Sequence, residues 1–371
     1  MRISVERLTK RFGDVVAVDD LNLDIADGEL IVLLGPSGCG KTTTMRSIIG
    51  LEAPTTGRIV VGDTTVFDGR QAINVPTNKR KMGMVFQSYA IWPHKTVFEN
   101  VSYPLERQGV ARNEIEARVN DTLEMVGLAH LSDRGATLLS GGQMQRVALA
   151  RSVVARPRVL LLDEPLSNLD AKLRDHLRFE LREIQQRLGI TTVYVTHDQT
   201  EALALADRIA VMKDGKIIQL DTPNAIYRNP ANTFVADFLG VGNILPGRVT
   251  GRRDGNLTEV AVGTGGQTLL SATPAEIGSD TNICIRPEHV LIAAQGSSAP
   301  AGPATAPATA NVWPVTVRVA TFLGNHVRYL VEFADSAPLH AISYDTDRIF
   351  ASGSVVDATI SAEHAQLLAK A

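Results

Sequence analysis

The stretch that most constrains what this chain can fold into is residues 29–43, "ELIVLLGPSGCGKTT". A continuous apolar run bounded by turns reads as a strand buried on both faces of a parallel sheet. Here it passes into a glycine-rich loop and then into "KTTTMRSIIG" (41–50), which has the pattern of a helix. The loop fits G-x-x-x-x-G-K-[ST] in the strand-to-helix context that the motif requires. Gly35, Gly38 and Gly40 let successive N–H groups turn inward without a Cβ in the way. Lys41 adds a point charge for phosphate oxygens, and Thr42 offers a hydroxyl to Mg²⁺. Pro36, Ser37, Cys39 and Thr43 complete a cradle shaped for a triphosphate.

A second buried run, "RVLLLDEP" (158–165), ends in two adjacent carboxylates. Asp163 at the strand end can hold Mg²⁺ through water. Glu164 beside it would face the γ-phosphate and orient or deprotonate a water. A third run, "TTVYVTHD" (191–198), is rich in β-branched residues. Between these lies "AKLRDHLRFELREIQQRLG" (171–189), with Leu173, Leu177, Leu181, Ile184 and Leu188 at helical spacing and Gly189 as the stop. Strands alternating with helices give an α/β expectation. Residues 3–29 read differently, as short antiparallel strands leading into the first core strand.

"LSGGQ" (139–143) stands just before another helical stretch. Glycine costs about 1 kcal/mol against Ala inside a helix. At a helix start it bares N–H groups that are already unpaired at the positive end of the dipole, which favours an anion. Ser140, Gly141, Gly142 and Gln143 have no neighbouring Lys and no acidic metal ligand, so this phosphate site is incomplete. It can complete another subunit's site, which suggests a nucleotide bound at an interface.

The chain has 371 residues and 44% hydrophobic residues, enough for two or three cores. Lys and Arg number 37 against 40 Asp and Glu, net −3, which argues against a duplex-DNA surface. Two distant cysteines, Cys39 and Cys284, are no disulfide framework and fit a reducing cytoplasm. The start "MRISVERLTK" has no apolar core of a signal peptide, and no apolar run approaches the roughly 20 residues of a membrane span. The expectation is a soluble protein, or one held at a membrane by a partner. Beyond Gly240 the texture changes. "VTVRVATFLGNHVRYLVEF" (315–333) alternates and then breaks at Leu323-Gly324-Asn325, a hairpin pattern in a small all-β domain. "QGSSAPAGPATAPATA" (295–310) is flexible by composition.

The order "GPSGCGKTT", Gln87 in "MVFQSYAIWPH", "LSGGQMQR", "LLLDEP", "SNLD" (167–170) and "VTHD" (195–198) resembles the nucleotide-binding subunit of an ABC transporter over residues 2 to about 235. "IRPEHV" (285–290) and the segment after it resemble the C-terminal, TOBE-like barrel of importer ATPases of the sugar, polyamine, sulfate and iron(III) branch. The resemblance implies a P-loop NTPase of ABC type in residues 1–238, with a mixed sheet, an antiparallel N-terminal subsheet and a helical subdomain at about 88–156. An OB-like β-barrel in 239–371 would follow. It implies ATP and Mg²⁺ as cofactors, with Thr42, Gln87 and Asp163 toward the metal and Glu164, His197 and Gln87 as catalytic groups. Gln87 would touch Mg²⁺ or the attacking water, and His197 the γ-phosphate. Phe12 falls where the family stacks a ring on adenine; core packing is the other reading. Ser140, Gly141, Gly142, Gln143 and Asp170 would serve the ATP of a partner chain, with Asp170 lying across the dimer interface and coupling the two sites.

The same resemblance implies a second copy of the chain, transmembrane permease subunits, and indirectly an extracytoplasmic solute-binding protein. The place would be the cytoplasmic face of the cell membrane, peripherally, with no nucleic acid. Tyr89, Ile91, Trp92 and Phe98 read either as local core or as a groove for a permease helix. "AIWPHKTVFENVSYPL" is most similar to polyamine and iron(III) members; sugar, sulfate and phosphonate stay open. One rival is an ABC-type ATPase acting on DNA, which would carry a coiled coil or zinc module between Lys41 and Ser140. No heptad run or Cys cluster occurs there. Another is a regulatory module whose β-domain senses a ligand or partner.

Overall fold

Alternating burial in the first 25 residues makes a hairpin. β1 (Ile3–Phe12) pairs antiparallel with β2 (Val15–Ile25), and Phe12 faces Val15 across the turn. Then come β3 (Leu30–Leu34), all five residues buried, and α1 (Lys41–Ile49), which ends at Gly50. β4 (Thr56–Val61), β5 (Thr64–Asp68) and β6 (Ile73–Asn74) extend the antiparallel sheet in the order β2-β1-β4-β5-β6. After β7 (Met82–Val85) come α2 (Val97–Arg107), α3 (Arg112–Met125) and α4 (Gly141–Val153), which close on a core of their own around Val101, Leu105, Leu123 and Val147.

The chain returns to the central sheet with β8 (Val159–Asp163), α5 (Ala171–Leu188), β9 (Thr191–Thr196), α6 (Gln199–Leu205), β10 (Arg208–Lys213) and β11 (Lys216–Asp221). The six strands run in the order β11-β10-β3-β9-β8-β7. All are parallel except β11. The apolar face of α1, with Met45 and Ile48, shares one core with β1 and β2 on one side and with β3, β8 and β9 on the other. The expected mixed architecture with an antiparallel subsheet is what forms.

Buried Arg80 anchors the far end of α1. Its Nη1 donates to the carbonyls of Ser47 (2.9 Å) and Ile48 (2.7 Å), two of the last in the helix. Nε donates to Val75 O and Nη2 to Asn74 Oδ1. Burial without a carboxylate pushes its pKa down to about 10. In α5 the spacing argument was only partly followed: Leu177 and Leu181 are buried, but so are Arg178 and Gln185, while Leu173, Ile184 and Leu188 are half-exposed. Gln185 is buried because its amide donates to Gly28 O and Ile190 O.

The computed structural model describes residues 1–240, 242–253, 257–263, 267–296, 310–333 and 337–368. Nearly all of the Ala/Pro stretch 295–310 lies outside the described residues. The chain divides into Met1–Ile226 and Tyr227–Ala371. That is earlier than the boundary at 238 read from the sequence. α7 (Pro223–Arg228) straddles the division, and α8 (Thr233–Phe238) belongs to the second unit, where Ala236 packs with Cys284 and Leu368. The reason is Arg286. Its buried guanidinium lies 4.2 Å from the Tyr227 ring and donates to the carbonyls of Tyr227, Ala236 and Gly240.

The rest of the second unit is all β. β12 (Asn243–Arg253), β13 (Leu257–Val262), β14 (Gln267–Ser271), β15 (Asp280–Ile285), β16 (Leu291–Ala294), β17 (Ala310–Phe322), β18 (Val327–Glu332), β19 (Leu339–Ser343), β20 (Val355–Ser361) and β21 (Gln366–Leu368) form two five-stranded sheets. Their orders are β14-β13-β12-β15-β21 and β16-β20-β17-β18-β19. One core joins both, with Leu245, Ile283, Trp313, Tyr329 and Phe333. The hairpin expected at Leu323-Gly324-Asn325 is the β17–β18 turn.

Candidate functional site

The glycine-rich loop leaves the C-terminal end of β3, where parallel α/β sheets hold their ligands. Two of its glycines are dictated by space. A Cβ on Gly35 would stand 2.4 Å from Met212 O, and one on Gly40 (φ 101°) 2.4 Å from Ala17 O. Lys41 is 5% exposed, and its ammonium donates to Gly35 O (2.7 Å) and Pro36 O (2.9 Å), with the Cys39 thiol at 3.8 Å. Among the described residues no carboxylate pairs with it. A buried ammonium whose direct partners are all neutral, with Asp163 acting on it only from beyond ion-pair distance, favours a further anion, so the loop fits a polyphosphate.

Beside it, Thr42 Oγ1 donates to Asp163 Oδ1 at 3.2 Å. Burial raises the Asp163 carboxyl above its usual pKa, against the Thr42 hydroxyl and Arg46, whose Nη2 stands 3.7 Å away. A cation at this pair would favour the charged carboxylate, so the donor set fits Mg²⁺. The next residue, Glu164, has φ 44°, a left-handed backbone costing about 1–3 kcal/mol for a residue with a side chain. Its N–H donates to Val195 O (3.0 Å), which pins the turn to β9. Both carboxylate oxygens have side-chain partners: Oε1 lies 3.2 Å from His197 Nδ1, and Oε2 accepts from Gln87 Nε2 at 3.5 Å. Strands β7, β8 and β9 thus deliver Gln87, Asp163–Glu164 and His197 to one edge of the sheet, next to the loop after β3.

The other group of residues is arranged as a helix start. Ser140 caps α4, its Oγ accepting from Gln143 N (3.4 Å) while Gln143 Oε1 accepts from Ser140 N (2.9 Å). This reciprocal box satisfies two orphan N–H groups. Asp170 caps α5 by accepting from Leu173 N. Among the described residues no hydrogen bond links 140–143 to 35–43. Phe12, at the end of β1, is 48% exposed, which removes core packing as its reason; Lys10 Nζ lies 4.6 Å from its ring centre. The aromatic segment divides. Tyr89 is buried, Ile91 and Phe98 pack on the helical core, and Trp92 lines an open groove of about 840 Å³ with Phe86, Pro104 and Arg151. Arg151 stacks on Trp92 and donates to Tyr89 O and Ala90 O.

Sequence reading missed what holds these groups. Ser167 Oγ donates to Glu164 O, Asn168 Nδ2 to Gln87 O, and Arg174 to Leu169 O and Asp198. The quoted "SNLD" contained two of the three, but apart from the resemblance nothing in its pattern marks an inward-facing loop. Arg174 sits in a helix judged only by its apolar spacing.

Residues 18–167 match the ABC transporter family, and residues 283–368 match the TOBE domain. The chain is 45% identical to the Fe(3+) ions import ATP-binding protein FbpC of Rhizobium etli, over 93% of this chain and 92% of that protein. It is 44% identical to the spermidine/putrescine import ATP-binding protein PotA of Rubrobacter xylanophilus, over 91% and 85%. A dimeric, post-hydrolysis ATP-binding cassette bound to ADP and Pi superposes with a TM-score of 0.52 at 31% identity, covering 60% of this chain and 98% of that one. The chain therefore belongs to the ABC transporter family, as an ATP-hydrolysing subunit that joins an ATP-binding cassette to a C-terminal TOBE domain.

Proposed function

We propose that two copies of the chain close on two MgATP and drive a membrane permease that imports a small solute. The observation that carries this reading is the pairing of a nearly complete site with an incomplete one. The loop 35–43 has its lysine, with the metal-side carboxylate of Asp163 beside it, whereas the capped start of α4 offers Ser140 and bare N–H groups with no neighbouring lysine or acidic metal ligand in its own sequence. Two half-sites per chain make two whole sites per dimer, with Ser140, Gly141, Gly142, Gln143 and Asp170 serving the partner's nucleotide. The solved dimer of a related cassette supports this arrangement.

Within a site, Lys41 and the loop N–H groups hold the phosphates, and Phe12 offers an exposed ring to adenine. Thr42, Asp163 and Gln87 would hold Mg²⁺, which when bound neutralises charge on the phosphate oxygens. Glu164, fixed through both oxygens, accepts the proton of the attacking water. His197 stands against it, where it reaches the γ-phosphate. ATP favours the closed dimer over the open one, the differential affinity that any driven conformational change needs. Opening after hydrolysis would switch the permease between its two access states.

Among the described residues no helix is long and apolar enough to cross a membrane. The groove beside Trp92 offers a docking place for a permease helix, and a subunit held there would sit peripherally on the cytoplasmic face. Iron(III) and polyamines are named for the two relatives matched along most of their length, and the segment after Gln87 points to the same pair; an extracytoplasmic binding protein would select between them. The test is to tag the chain, solubilise native membranes in mild detergent and identify what co-purifies. A multi-span permease in constant ratio supports the reading. Recovery from the soluble fraction alone, without one, contradicts it.

A further inference from the structure

We infer that Arg174 is a positioning residue that couples the two ATP sites, by tying the loop that serves the partner's nucleotide to the turn that carries His197. The inference rests on the dimer proposed above.

Arg174 lies one turn into α5. Its Nη2 donates to Leu169 O at 3.1 Å, and its Nη1 to Asp198 Oδ2 at 3.3 Å. Leu169 immediately precedes Asp170, and Asp198 immediately follows His197. One planar fork therefore spans two loops. A lysine, as a single point charge, cannot reproduce that geometry.

The Asp198 end is rigid. Its other oxygen, Oδ1, caps α6 by accepting from Thr200 N (2.7 Å) and Glu201 N (3.1 Å). Its own N–H donates to Thr196 Oγ1 (2.9 Å). That hydroxyl donates to Glu201 Oε2 (2.8 Å), a buried carboxylate oxygen that also accepts from Tyr194 OH (2.8 Å). His197 is thus carried on a turn clamped from both sides. The loop end has its own ties to the site, through Ser167 to Glu164 O and Asn168 to Gln87 O. A shift of Asp170 toward or away from a partner's nucleotide pulls on Leu169 O, and Arg174 carries that pull to Asp198 and the adjacent His197. Coupling of this kind requires an element whose position both sites bias, and residues 167–170 are that element.

The competing explanation is an ordinary half-exposed ion pair. Arg174 and Asp198 side chains are 29% and 25% exposed, and such pairs contribute little to stability. The two explanations part on cooperativity. The full chain, purified with its permease, is assayed for hydrolysis against ATP concentration as wild type, Arg174→Met and Arg174→Lys. Nucleotide affinity and melting temperature are measured on the same samples. The wild type is expected to show a Hill coefficient above 1. Arg174→Met should bring it to about 1 and lower kcat about tenfold, with ATP affinity within about twofold. Its melting temperature should move by less than about 2 °C. Arg174→Lys should keep the fold without restoring cooperativity.

Should Arg174→Met fail to fold, Asp198→Asn serves instead, because its carboxamide oxygen still caps α6; the same loss of cooperativity is expected. A dimer that forms with MgATP while Arg174→Met, or Asp198→Asn in its place, keeps the wild-type Hill coefficient and kcat overturns this inference alone. A Glu164→Gln chain that stays monomeric with MgATP overturns the dimer reading and this inference with it.

Discussion

The second unit buries a cation as an anchor, whereas the first buries one as an anchor and another in a ligand cradle. In the second unit, Arg286 places its guanidinium on three carbonyls and against Tyr227. In the first, Arg80 likewise fills its fork with three carbonyls and an amide oxygen. Both are anchors, and their hydrogen bonds go to the fold. Lys41 is as buried as either, but its ammonium holds two carbonyls and a thiol in a loop where Gly35 and Gly40 leave no room for a side chain. A buried cation that ties packed elements together marks structure, and one in a bare-backbone cradle marks a ligand. Around Lys41 there is also a strained carboxylate at Glu164; Arg286 instead ties the helical segment 227–240 to the β-sheet through Tyr227, Ala236 and Gly240.

This contrast makes predictions, the largest at Glu164. Glu164→Gln should leave ATP binding intact and cut turnover by at least about 100-fold, the range of a lost general base. Hydrolysis near the wild-type rate would refute the assignment. Lys41→Ala should lose ATP binding itself; unchanged affinity in an equilibrium titration would make Lys41 another anchor.

That these residues would stand at strand ends near one another was legible before the fold was known, because strand-loop-helix context makes the glycine motif specific and because two carboxylates at the end of "VLLLDE" have no packing reason. The α/β and all-β halves were legible from burial period. The domain boundary was not. The carbonyls that draw α8 to the second unit belong to Tyr227, Ala236 and Gly240, and backbone acceptors leave no trace in side-chain pattern. Arg80 and Arg286 were missed as anchors for the same reason, since each reaches backbone carbonyls far along the chain; Arg174 was missed because its partner Asp198 stands on another loop 24 residues on.

A smaller effect is expected at Arg286. Arg286→Ala leaves three carbonyls short of a charged donor and should destabilise the second unit by about 3 kcal/mol. It should lower its melting transition while the cassette still binds ATP; loss of ATP binding would erase the distinction drawn between the units. The smallest effect is a pH dependence in the second unit. His289 and His364 stack with ring centres 3.7 Å apart, and burial, reinforced by His364, lowers the His289 pKa. A histidine held neutral by folding contributes stability above its ordinary pKa of about 6.5, and that stability is lost as pH falls through the depressed value. The second unit's melting temperature should therefore fall on acidification below about pH 6.5, and His289→Gln should flatten that slope. An identical slope in both proteins would remove His289 as the cause.

The central claim is that each ATP is shared between copies. The most direct test is the solution mass of Glu164→Gln with MgATP, by light scattering, with and without a second change, Ser140→Arg. The account requires a dimer with Glu164→Gln alone, and a monomer that still binds ATP when Ser140→Arg blocks the α4 start. A chain that binds MgATP and stays monomeric, or a dimer indifferent to Ser140→Arg, would contradict it.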